Sequence, residues 1–150
     1  TSVAIYIALG WIAVIAVKPL IASLPDGAEV YSGDDAMTLP LLAAGIVGTV
    51  GVATHWTGPD HQEMFSLWEK GDIAGARLVN ARMLESFAFE TGDDAPNPLP
   101  TKAMMRHLGF KVGQARLPMG PAPAFVEARA PEVWANLQRW RDAFPQRPAH

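Results

Sequence analysis

Apolar positions crowd the start of the chain. From Val3 to Leu24 the sequence reads VAIYIALGWIAVIAVKPLIASL, with one charge, Lys18, in 22 residues. A membrane-spanning helix needs about 20 predominantly apolar residues. Lys18 would lie inside such a span, Pro19 would break it and Gly10 would weaken its middle. The β-branched content instead predicts two short buried strands, VAIYIAL and WIAVIAV, divided by Gly10. IASLPDGAEV then reads as a helix end and a Pro-Asp-Gly turn, and VYSGDD as a short strand reaching a polar corner. AMTLPLLAAG has helical composition with Gly45 as its stop, and IVGTVGVATHW is an apolar run of strand length.

The second half changes period. Pro59 is expected to start a helix whose Met64, Phe65 and Trp68 share a face, closed by Lys70 and Gly71. Asp72 is an expected N-cap for a helix with Ile73, Ala76, Val79, Met83 and Phe87 on one stripe, stopping near Gly92. DDAPNPLP is a proline-rich loop, and Thr101 caps KAMMRHLG. RLPMGPAPAF is a further extended connection. Pro131 opens a last helix with Val133, Leu137, Trp140 and Phe144 together. Near-continuous apolar strands alternating with helices predict an α/β fold with a parallel sheet covered on both faces.

Composition narrows the function classes. With 150 residues, 49% hydrophobic and 18% charged, the chain is long and apolar enough for a sizeable core. A net charge of -3, with lysines and arginines scattered rather than clustered, argues against nucleic-acid binding. The absence of cysteine removes disulfides, thiolate metal sites and a cysteine nucleophile, which fits a reducing cytoplasm. Neither a basic leader nor a small-residue cleavage site marks the start as a signal peptide.

In parallel α/β folds, polar residues at the C-terminal ends of strands carry the chemistry. Lys18, the Ser32-Gly33-Asp34 corner and Thr54-His55 hold such positions. A lysine amine with an ordinary pKa of about 10.4 is almost wholly protonated at neutral pH, and burial in an apolar wall frees it to attack a ketone. The competing reading is a solvent-facing lysine at a strand end. Asp34 and Asp35 fit helix capping better than a paired acid and base. His55, Asp60 and His61 lack a standard metal-ligand spacing, so no metal is expected. GIVGTVG is not the dinucleotide-binding G-x-G-x-x-G pattern.

The stretch VYSGDDAMTLPLLAAGIVGTVGVATHW, followed by GDIAGARLVNARML, FETGDDAPNPLPTKAMMRHLG and ARLPMGPAP, resembles the C-terminal half of the dihydrodipicolinate synthases. These belong to the pyruvate-dependent class I aldolase family that includes N-acetylneuraminate lyase. The likeness runs from about Val30 to about Arg141. It implies a (β/α)8 TIM barrel, here partial (strands 5–8), over residues 1–92, with 93–150 as a C-terminal helical extension. It also implies that AVIAVK is the sixth strand and Lys18 the lysine that forms an imine with pyruvate, with no other cofactor. Tyr6 would relay protons, while Gly33, Val50 and Asn97 would line the substrate pocket. The implied reaction condenses pyruvate with L-aspartate 4-semialdehyde to 4-hydroxy-tetrahydrodipicolinate, for lysine and diaminopimelate synthesis, in a cytoplasmic homo-oligomer (tetramer or dimer). A related lyase acting on a sugar acid or other 2-oxo acid, or a non-catalytic truncated paralogue, is the alternative.

The departures are specific. Pro19 follows Lys18 where the family has an acidic or small residue. Eleven residues separate Tyr6 from Lys18, whereas joining parallel strands takes a crossover of about a dozen or more. A full barrel takes about 250 residues, so the chain reads as a partial record of one.

Overall fold

The computed structural model of the chain describes residues 15–92 and 95–144. It divides into two compact units, Thr1–Gly51 and Val52–His150. The helices on either side of residue 92 pack together in the second unit.

In the first unit, residues 15–23 are helical (α1). This corrects the strand expected across WIAVIAV and AVIAVK, of which the described residues are 15–18; the VAIYIAL strand lies outside the described residues. An apolar β-branched run fits a buried strand or a helix equally well by composition. No third strand joins the described sheet, so the backbone of 15–18 satisfies its hydrogen bonds locally. The Pro-Asp-Gly turn forms as expected: Ala28 N–H donates to Pro25 C=O at 3.1 Å, with Gly27 at φ +82°.

Strand β1 (Tyr31–Ser32) leads through helix α2 (Thr38–Leu42) to strand β2 (Gly48–Thr49). The strands pair in parallel, Tyr31 with Gly48 and Ser32 with Thr49. Gly48 is required there, because a β-carbon would come within 2.9 Å of the Tyr31 ring. Leu41, Leu42, Ala44 and Ile46 form this unit's apolar core. Gly45, at φ +109°, stops α2 as the sequence predicted. The long strand expected over IVGTVGVATHW shrinks to two residues before the chain turns helical at Thr54.

The second unit is a bundle of α3 (Thr54–Glu69), α4 (Ile73–Glu90), α5 (Leu99–His107) and α6 (Ala124–Ala143). Helix α3 packs on α4, α4 on α6, and α5 on α6. Met64, Met83, Met104, Val133 and Leu137 are fully buried among them. Asp72 caps α4 as predicted, accepting from Gly75 N–H at 2.9 Å. Three helix starts fall earlier than expected. Pro59 and Pro131 lie inside α3 and α6, and Thr101 lies inside α5, where its hydroxyl donates to Asn97 Oδ1 at 3.0 Å. Of the stripe expected on α6, Val133 and Leu137 are buried. Trp140 and Phe144 are 41% and 44% exposed and stack on each other at 5.6 Å.

Buried charge ties the bundle. Asp60 is fully buried and pairs with Arg82 (Nε to Oδ1, 2.7 Å) and with Arg141, while Arg82 also pairs with Glu63. Arg141 donates to Trp56 C=O at 3.2 Å and lies over the Trp134 ring, 5.3 Å from its centre. No helix of the described residues is long and apolar enough to cross a membrane.

Candidate functional site

The C-terminal end of the parallel pair is built around Ser32. Its buried hydroxyl donates to Asp34 C=O at 2.7 Å and accepts from Asp34 N–H at 3.2 Å. Its carbonyl accepts from Val50 N–H at 2.8 Å and from the Thr49 hydroxyl at 3.2 Å. One serine therefore fixes the corner after β1 and its register on β2. Asp34 Oδ1 accepts from Ala36 N–H (2.9 Å) and Met37 N–H (3.3 Å), closing the turn that leads into α2. The helix cap expected of Asp34 or Asp35 does not form: α2 has Met37 at its N-cap and no side-chain cap, and Asp34 serves the preceding turn instead. Asp35 points inward, 2% exposed, against Gly51.

Gly33 and Val50 are the residues immediately after the paired Ser32 and Thr49. They are thereby brought side by side at the strand ends, the position that carries ligands in parallel α/β folds. Gly33 is exposed, with no heavy atom within 4 Å of where a β-carbon would sit, and Val50 is 74% exposed. The corner opens to solvent there.

The other expected site residues are placed differently. Lys18 is exposed on α1 rather than buried at the end of a strand. Tyr6 lies outside the described residues. Asn97 belongs to the second unit, is exposed, and accepts from Thr101 at the start of α5. His55 is exposed with Nδ1 2.7 Å from Val52 C=O, whereas His61 is buried beside Thr57 and Phe87. The two rings thus face different surroundings. Among the described residues, no group of three or more His, Asp or Glu could hold a metal ion.

Sequence reasoning missed three features. The seating of Asp35 against Gly51 joins positions sixteen apart by number. Tyr31 donates to Glu29 Oε2 at 2.6 Å, and this hydrogen bond with the nearby carboxylate charge raises the phenol above its ordinary pKa. The Asp60–Arg82–Arg141 cluster gave no signal, because charged residues at helical spacing read as a solvated face.

Two short parallel strands joined through a helix, with an open polar corner at their C-terminal ends, are an α/β arrangement. The chain belongs to the dihydrodipicolinate synthetase family, whose family model matches residues 9–134. It is 41% identical over 105 residues to a 4-hydroxy-tetrahydrodipicolinate synthase of Synechococcus elongatus, covering 69% of this chain and 34% of that protein. A Bacillus subtilis protein of the same name is 41% identical over 106 residues, covering 71% of this chain and 36% of that one. In structure it matches a dihydrodipicolinate synthase from Cyanidioschyzon merolae, solved with lysine bound, with TM-score 0.76 and 32% identity. That match covers 81% of this chain and 41% of the other. The structural neighbours are TIM-barrel proteins. The stretch matched is thus about a third of each curated relative's length.

Proposed function

We propose that the chain is the C-terminal part of a Schiff-base-forming 4-hydroxy-tetrahydrodipicolinate synthase, a partial (β/α)8 barrel with residues 93–150 as its helical extension. The observation that carries the reading is 41% identity to synthases of that name across more than two thirds of the chain. The open strand-end corner at Gly33 and Val50 is consistent with it. In this reading the Lys18 amine attacks the C2 carbonyl of pyruvate, water leaves, and an imine forms. Loss of a methyl proton gives the enamine, whose carbon attacks the aldehyde of L-aspartate 4-semialdehyde before cyclisation. Tyr6 relays protons, and Gly33, Val50 and Asn97 line the pocket. The only covalent partner is pyruvate itself. A cytoplasmic, homo-oligomeric lyase of lysine and diaminopimelate synthesis is the whole-protein role.

One observation favours a second reading. Lys18 stands exposed on a helix, and an exposed amine lacks the apolar wall that makes lysine nucleophilic at neutral pH. A non-catalytic paralogue would have that property. Borohydride trapping with pyruvate, followed by peptide mapping, separates the two. The chain has only four lysines, at 18, 70, 102 and 111. A reduced pyruvyl adduct confined to Lys18 is expected. No adduct on folded protein, or one spread over all four lysines, overturns the aldolase reading in favour of the paralogue.

A further inference from the structure

Where α4 packs on α6, the described residues leave an open groove of about 490 Å³. Small-molecule sites run from roughly 300 to 1,000 Å³, so the groove has room for one. Glu85 lines it from α4; Asn136, Arg139, Trp140 and Ala143 line it from α6, with Phe144 just past the helix end. These last five recur at spacings of three and four, which gathers them on one side of α6.

One hydrogen-bonded chain crosses the groove. Arg139 donates to Asn136 Oδ1, and Asn136 Nδ2 donates to the half-buried Glu85 Oε2 at 2.8 Å. Among the described residues Asn136 is the one hydrogen-bond partner of either charge, and no ion pair joins the two. A carboxylate has about four acceptor positions and a guanidinium five donors, so most of both are left for a ligand. An anion and a cation one amide apart suit the ammonium and carboxylate of an α-amino acid, which are attached to a single carbon. Each would make a charge-assisted hydrogen bond, the stronger kind.

The rest of the groove is aromatic. The Trp140 and Phe144 rings stack at 5.6 Å, 25° from parallel, and remain 41% and 44% exposed. A third flat ring laid on that pair removes apolar surface from water and adds an aromatic contact. An aliphatic chain would give the burial without the ring contact.

We propose that this groove binds a free α-amino acid with an aromatic side chain, its ammonium on Glu85, its carboxylate on Arg139 and its ring on the Trp140–Phe144 pair. The site lies in the second unit, apart from the Gly33 and Val50 corner of the first. It depends neither on Lys18 nor on turnover.

Isothermal titration calorimetry of the full chain with phenylalanine tests it, with circular dichroism as the check on folding. Phenylalanine is expected to bind with a millimolar Kd or tighter, ordinary for a ligand of its size. Three analogues should each bind at least about tenfold more weakly, the loss expected when a charged or aromatic contact goes unmade. They are alanine, which lacks the ring, 2-phenylethylamine, which lacks the carboxylate, and 3-phenylpropanoate, which lacks the ammonium. Trp140→Ala and Phe144→Ala should each weaken phenylalanine by a similar factor. Glu85→Gln keeps an acceptor for Asn136 but removes the charge, and should abolish the preference for phenylalanine over 3-phenylpropanoate. A general loss of packing would not produce that change in selectivity. Absence of phenylalanine binding up to about 10 mM, well above that expected Kd, overturns the proposal. So does binding indifferent to the substitutions, or one-charge analogues that bind as tightly as phenylalanine. Pyruvate trapping is read separately, so failure of this site and failure of the aldolase reading are told apart.

Discussion

Gly51 and Gly33 stand near the same strand ends but tolerate a side chain differently. A β-carbon on Gly51 would overlap the buried Asp35 carboxylate. Gly51→Ala should therefore lower stability by about 1–3 kcal/mol, the usual range for overpacking, measured by urea unfolding. Gly33 has nothing within 4 Å and no left-handed backbone angle. Gly33→Ala should leave stability within about 0.5 kcal/mol of the parent, as surface substitutions do. If it lines a pyruvate pocket, it should slow borohydride-trapped adduct formation all the same. The neighbouring Tyr31 offers a spectroscopic handle. Ionising its phenol breaks the hydrogen bond to Glu29 and brings a second negative charge beside the carboxylate, so its titration lies above the ordinary value. The chain has two tyrosines, so a Tyr6→Phe background isolates it. Glu29→Gln should move the ultraviolet phenolate transition to lower pH; no movement would mean that the Glu29 contact is not made in solution.

At the scale of elements, the bundle is fastened by Asp60. It reaches Arg82 of α4 and Arg141 of α6 from α3, so three helices meet at one carboxylate. Asp60→Ala would leave Arg82 buried without that counter-charge. Breaking a buried pair from one side costs about 3–5 kcal/mol, and urea unfolding of the variant should show a loss of that size. Asp72→Ala removes only the N-cap bond of α4 and should cost about 1 kcal/mol; equal losses would contradict the geometry. Neither the clamp nor the exposure of Leu78 on α4 was legible in the sequence, since a buried Arg82 and an exposed Leu78 each look ordinary at their spacing. The Asp72 cap, the Gly45 stop and the Pro-Asp-Gly turn were legible because each rests on a local backbone requirement. Helix starts were read late wherever proline was taken as a beginning, though Pro59 and Pro131 sit within helices. The strand expected at residues 15–18 became helix because apolar content says that a segment is buried, not what pairs with it.

At the scale of the whole molecule, the family was legible from motif order, and the strand-end corner from the polar residues closing β1. What the pattern did not foresee is that Lys18 stands exposed on α1, because the apolar run before it reads alike as strand or helix. The two units also differ in what holds them. Four buried apolar side chains, Leu41, Leu42, Ala44 and Ile46, serve the first unit. Its two-residue parallel ladder leaves Tyr31, Val47 and Val50 half or more exposed. The second unit buries Trp56, Met64, Met83, Phe87, Phe89, Met104, Val133 and Leu137, with the Asp60 cluster among them. Local opening follows the density of buried contacts, so the first unit should open at a smaller free energy. Hydrogen exchange read by mass spectrometry should find amides in the middle of α4 and α6 exchanging slowest. Those of β1, α2 and β2 should exchange at least about 100-fold faster, the factor for a gap of roughly 2.7 kcal/mol in opening free energy. Equal protection in the two units would mean that the short ladder is supported by packing well beyond its own four core residues.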